Sequence, residues 1–244
     1  MRRHSGILAL AAAGLVAAVA IGPTAGAGGR GPSTTPFPDA RLKIEYNATD
    51  GDAGLQVFLD APAWRDVSIT NPSGKKVLVV EAAQVIRNYG LTELFSESSE
   101  PPFDEFPFSE FKRLFPEGDY TFRGRTIEGE RLQSTFSLTH QVPDGPTIVS
   151  PAEDATLAPE DLVVVWQPVT SPAGVEVVAY QVLVVADEPA PGNPARVLDV
   201  MLPGTATRLP IPAEFLVPGS YKSEVLAIEE SGNQTLTEVA FTVE

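Results

Sequence analysis

Apolar and polar residues alternate with a period of two along much of the chain beyond residue 40. Leu42, Ile44 and Tyr46 fall on one side of an extended segment, with Lys43, Glu45 and Asn47 on the other. That spacing predicts a half-buried strand. Leu55, Val57 and Leu59 repeat it, with Gln56 and Asp60 facing the opposite way. Val67–Thr70 and Val77–Val80 flank Asn71-Pro72-Ser73-Gly74, whose proline and glycine suit a type I turn, so a hairpin is expected there. Tyr120 and Phe122, then Ser134, Phe136 and Leu138, continue the alternation. Residues 40–140 therefore predict one antiparallel β-sandwich.

The rhythm breaks once. Between Leu91 and Leu114, Glu93, Glu97, Glu100, Asp104, Glu105 and Glu110 gather among Phe95, Phe103, Phe106, Phe108 and Phe111. Pro101, Pro102 and Pro107 preclude one long helix. The stretch 91–114 is expected as an acidic, Phe-rich crossover, with a short helical turn at 109–115 and its rings packed onto the sandwich.

His140 to Pro146 reads as a linker. Beyond it, seven short apolar runs are separated by Pro- and Gly-rich turns: 147–150, 162–166, 179–185, 196–201, 207–211, 221–228 and 236–243. Trp166-Gln167-Pro168 ends the second run, Tyr180-Gln181-Val182 lies in the third, and Leu216-Val217-Pro218-Gly219-Ser220-Tyr221 leads into the sixth. Together they resemble the buried tryptophan, the tyrosine-bearing third strand and the tyrosine corner of fibronectin type III modules. The resemblance covers residues 144–244 and implies a sandwich whose loops and edges contact other macromolecules. Phe115-Pro116-Glu117-Gly118-Asp119-Tyr120 is a weaker echo of the same corner, so residues 40–140 are expected to be Ig-like or fibronectin-like. Trp64 precedes Tyr120 by 56 residues and Trp166 precedes Tyr221 by 55. The expected fold class is all-β: two tandem antiparallel β-sandwich domains, the second of fibronectin type III type.

Composition narrows the setting. Residues 1–27 read as a secretory signal peptide, with Arg2 and Arg3 before an apolar stretch from Ile7 to Ile21 and an Ala25-Gly26-Ala27 cleavage site. The apolar stretch is shorter than the roughly 20 residues a span needs. Residues 28–39 are expected to be a flexible leader. Without the first 27 residues the chain carries 15 basic and 32 acidic side chains, a charge of −17. A field of that sign repels nucleic acid and anionic membranes. No membrane insertion is expected after signal cleavage, and a secreted or periplasmic location follows. The chain has no cysteine, so each sandwich must hold by its core alone.

Candidate chemistry is sparse. His140 is the sole histidine after the signal, and it lies in the linker without a Gly-x-Ser-x-Gly elbow. Zinc-type sites need several His or Cys ligands. No catalytic, cofactor-binding or metal-binding residues are assigned and no cofactor is expected. Asn47-Ala48-Thr49-Asp50-Gly51-Asp52 collects oxygen ligands of the kind calcium takes, but lacks EF-hand spacing and equally makes a strand turn. Glu97, Glu100, Asp104 and Glu105 could supply paired carboxylates for glycoside hydrolysis, or form a solvated face. Asn47 and Asn233 begin Asn-x-Thr sequons. The leading expectation is a non-enzymatic exported binding or scaffold protein whose partner is an unknown protein or a cell-surface glycan. A calcium- or carbohydrate-binding module is the alternative, and a carboxylate-dependent hydrolase the next.

Overall fold

A computed structural model describes residues 34–187 and 196–244. The signal peptide at 1–27 and residues 28–33 of the leader lie outside the described residues. Strands dominate and helices are few and short, as the alternation requires.

The first part comprises β1 (Thr34–Thr35), β2 (Asp39–Asn47), β3 (Asp52–Thr70), β4 (Lys76–Glu81), α1 (Gln84–Tyr89), β5 (Leu91–Glu97), α2 (Phe108–Leu114), β6 (Gly118–Thr126) and β7 (Arg131–Leu138). β3 is the organising strand. Its N-terminal half pairs with β2 and β5, and its C-terminal half with β4 and β6. The register shifts on either side of Trp64, next to Pro62. Inward positions accordingly run 55, 57, 59 and then 64, 67, 69, so one strand serves both layers of the sandwich. The change of phase hides this continuity in the sequence, where two separate strands were expected. The layers close on Leu42, Ile44, Leu55, Leu59, Trp64, Ile69, Tyr120 and Phe122.

Two expectations need correction. Residues 34–39 are not a flexible leader: β1 pairs in parallel with β7, and Phe37 is buried with its ring edge-on to Phe122. The 91–114 stretch opens with a strand, β5, whose mixed sequence Leu-Thr-Glu-Leu-Phe-Ser-Glu masks its alternation at a half-exposed edge. The rings that follow do pack inward: Phe103, Phe106, Phe108 and Phe115 lean on the core and Phe111 is fully buried.

The second part comprises β8 (Ile148–Ser150), β9 (Ala155–Leu157), β10 (Val163–Trp166), β11 (Val177–Ala186), β12 (Val197–Pro203), β13 (Arg208–Pro210), β14 (Gly219–Glu229) and β15 (Gln234–Val243). A three-stranded sheet, β13-β10-β8, covers a sheet in which β12, β11, β14 and β15 are neighbours and β9 joins β15. Between them lie Trp166, Tyr180, Tyr221, Val182, Val225 and Phe241. This is the Ig-like, fibronectin-type sandwich expected from the tryptophan and tyrosine positions. Tyr221 makes the corner: its hydroxyl donates to the Val217 carbonyl and accepts from the Val217 N–H, both at 2.9 Å. Tyr120 does the same job in the first part, donating to the Pro116 carbonyl at 3.0 Å.

Candidate functional site

The two sandwiches share a sheet. β15 pairs in parallel with β2, matching Gln234 to Glu45, Thr235 to Tyr46 and Leu236 to Asn47. Side chains extend the pairing where the backbone ladder stops. Asn233 Oδ1 accepts the Ile44 N–H at 2.8 Å, while its Nδ2 donates to the carbonyls of Thr139 at 3.0 Å and Gln141 at 2.8 Å. Thr235 donates to the Pro143 carbonyl, and Thr49 Oγ1 accepts the Glu238 N–H. The 139–143 segment is thus stitched to the start of β15, and through Asn233 to β2. The Asn233 sequon is spent on this junction: the residue is 1% exposed, so its amide is closed to a glycan in the folded chain.

Pleating turns alternate side chains of the shared sheet away from the cores. Directly paired residues share a face, so Glu97, Gln56 and Lys43 form one cross-strand row and Glu45 with Gln234 the next, beside Gly54. Glu100, just past β5, lies over Gly54, where a Cβ would come within 3.0 Å of its Cγ and Cδ. The glycine makes the space the carboxylate occupies. Carboxylate oxygens of Glu45, Glu97 and Glu100 all fall within 4.8 Å of one another.

Amides and one ammonium hold this cluster. Gln56 donates to Glu97 at 2.7 Å, Gln234 donates to Glu45, and Lys43 donates to Gln234 at 2.6 Å. Burial pushes the Glu45 carboxyl up and the Lys43 ammonium down from their ordinary values. Glu100 is pushed up to about 8, first by burial and then by the negative charges of Glu97, Glu45, Asp52 and Asp50. Farther along the same sheet, burial and then Glu238 push Glu224 up to about 7. The cluster can therefore hold protons near neutrality.

The sequence candidates divide. Glu97 and Glu100 do come together, joined by Glu45, whereas Asp104 and Glu105 sit on an exposed turn. The 47–52 segment is the β2–β3 turn: Asn47 Oδ1 accepts from the N–H groups of Thr49 and Asp50, and Gly51 takes φ 72°. Asn47 Oδ1 is occupied with the turn itself and Thr49 Oγ1 with the Glu238 N–H. Glu45, Glu97 and Glu100 are the described residues spaced to share a cation, yet amides already engage the first two. His140 lines a junction cleft of about 530 Å³ with Tyr46, Phe108, Lys112 and Thr235. Its Nε2 lies 2.8 Å from the Phe115 carbonyl, a contact that needs the N–H at that nitrogen. Sequence reasoning placed Lys43, Glu45 and Gln56 on an outer face but missed their union with Glu97, because β5 was not read as a strand.

No protein-family model matches the chain, and no curated protein does. Among solved structures, a tetra-tandem repeat from the extending region of a large adhesion protein is 13% identical with a TM-score of 0.29, covering 84% of this chain and 50% of that one. Trypsin-activated α2-macroglobulin from Escherichia coli is 13% identical with a TM-score of 0.31, covering 88% and 16%. The FN1–FN3 domains of chicken CNTN1 are 13% identical with a TM-score of 0.28, covering 86% and 65%. The chain spans less than two thirds of each of these structures. The fold assignment rests on its own strand pairing.

Proposed function

We propose that this protein is a non-enzymatic exported scaffold. In this reading two β-sandwich modules, 40–140 and 144–244, are held at a fixed angle and offer loops and edges to another protein or a cell-surface glycan. The observation that carries the reading is the parallel pairing of β2 with β15. Tandem modules joined by a loose linker move independently by default. Here the linker is bonded along its length and the sheet crosses the junction, which suits a spacer that must transmit orientation. Each module has its own core, one buried tryptophan and one tyrosine corner, which supports the boundary at 140–144.

Most of the polar groups near this junction that could do chemistry, Glu100 apart, are engaged in hydrogen bonds. Lys43, Glu45, Gln56, Glu97 and Gln234 bond to one another, and His140 bonds to the Phe115 carbonyl. Backbone ¹⁵N relaxation tests the scaffold reading: both modules are expected to report one rotational correlation time. Two distinct values would overturn it. Hydrolysis of a polysaccharide by the purified protein, lost in both Glu97→Gln and Glu100→Gln, would replace it with the hydrolase reading. N-terminal sequencing of the protein from periplasm or culture medium is expected to begin after Ala27. Retention in the cytoplasm would refute export.

A further inference from the structure

Lys43, Glu45 and Gln234 meet on the outer face of the shared sheet. Residues 43 and 45 of β2 point the same way, and Gln234 stands directly opposite Glu45 on β15. β15 begins at Gln234, so none of its residues faces Lys43, and the lysine reaches Gln234 instead. Lys43 Nζ lies 2.6 Å from Gln234 Oε1, while Gln234 Nε2 donates to Glu45 Oε2. These two neighbours fix which end of the amide is oxygen, since the lysine presents hydrogens and the carboxyl oxygen accepts one. Gln234 is 2% exposed and Glu45 8%.

An amine, a carboxamide and a carboxyl group in contact are the parts of a transamidation. Burial drives the outer two toward their uncharged forms. For Lys43 it outweighs the carboxylates of Glu45, Glu97 and Asp199, which favour the ammonium, and Arg41 adds to the lowering. For Glu45, burial and the charge of Glu97 outweigh Lys43 and the amide bonds from Gln234 and Gln56. An uncharged amine has the lone pair that attacks a carbonyl carbon. A protonated carboxyl has the proton that a departing nitrogen needs. The reactants are held on adjacent strands, and good orientation is worth an effective molarity on the order of 10⁵ M or more. Lys222, farther along the same face, instead makes an ordinary ion pair with Glu238 at 2.8 Å.

We propose that Lys43 and Gln234 join in an intramolecular isopeptide bond, with Glu45 as the proton carrier. Lys43 Nζ, as the free amine, adds to Gln234 Cδ, and the carbonyl electron pair moves onto Oε1. Glu45 gives its proton to Nε2 as the Cδ–Nε2 bond breaks, and takes one back from the attacking Nζ. The carbonyl re-forms and ammonia leaves. Glu45 ends protonated as it began, and a secondary amide links the two side chains. The bond ties β2 to β15 and closes residues 43–234 into one covalent loop, in a chain with no cysteine for a disulfide. It stands apart from the scaffold reading, because it forms or fails to form whatever partner the protein meets.

Intact-mass spectrometry of the purified, folded protein tests this. The mass is expected to fall one ammonia short of the value its sequence demands. Trypsin should then leave residues 42–65 joined to 223–244, with no cleavage after Lys43. Lys43→Arg and Glu45→Gln should both keep the full mass, the first for want of a nucleophile and the second for want of a proton to give. A wild type at full sequence mass overturns the proposal. So does a lost ammonia that maps elsewhere, such as a succinimide at Asn233, or one that persists in Lys43→Arg. Loss that persists in Glu45→Gln overturns the role given to Glu45. If either variant fails to fold by circular dichroism, the wild-type peptide map decides, since it needs no substitution.

Discussion

Asn233→Ala is expected to uncouple the two sandwiches as well as destabilise them. The side chain is buried and its three strongest bonds run to residues 92 to 189 positions away. Truncation leaves the Ile44 N–H, on a residue of 0% exposure, with its acceptor gone. A buried orphan of that kind costs about 1–3 kcal/mol. The carbonyls of Thr139 and Gln141 lose a donor each, and net bonds of this type contribute about 1 kcal/mol apiece. The sum is about 3–5 kcal/mol, or on the order of 10 °C in Tm for a chain of this length. The two tryptophans separate the effects, since Trp64 reports the first core and Trp166 the second. Urea titration of the W64F and W166F backgrounds should give coincident transitions when Asn233 is present. In Asn233→Ala the two curves should shift down and part. A loss under about 1 kcal/mol, or curves that stay superimposed, would refute the claim that this amide ties the sheets.

Three further outcomes follow from the same geometry. Glu100 and Glu224 are held up to about 8 and about 7 against an ordinary 4.5, so the folded chain binds more protons than the unfolded one between those values. Stability should therefore fall as pH rises from about 5 to 8, and Glu100→Gln should flatten the dependence; a Tm that rises with pH across this window contradicts the charge cluster. Gly54→Ala displaces the Glu100 carboxylate and should flatten the same profile, with no flattening if that carboxylate sits elsewhere. Tyr221→Phe loses a donor and an acceptor and should cost about 1–3 kcal/mol, against about 1 kcal/mol for Tyr120→Phe, measured by chemical denaturation; the reverse order would sink the corner assignment.

Much of the fold is legible in the chain because burial imposes a period of two. Leu42-Ile44-Tyr46 and Leu55-Val57-Leu59 face one core, and Trp166, Tyr180 and Tyr221 the other, where the alternation puts them. What the chain conceals are the irregular places. The bend around Pro62 and Trp64 resets the phase of β3, so two runs look like two strands. β5 alternates residues that are half exposed on both faces, which leaves no contrast to read. The acidic cluster is invisible for a related reason: it depends on β2 and β5 both flanking β3, and β5 carries no readable alternation. Asn233 shows the limit most plainly, since Ser-Gly-Asn announces a turn and gives no hint of what the amide binds.

The pairing of β2 with β15 also fixes an order of events. The partner of Ile44 lies 189 positions downstream, near the end of the chain, so the first sandwich lacks a neighbour until the last hairpin has been made. Contacts this distant in sequence slow folding, and each sandwich can close on its own core while the junction between them waits for β15.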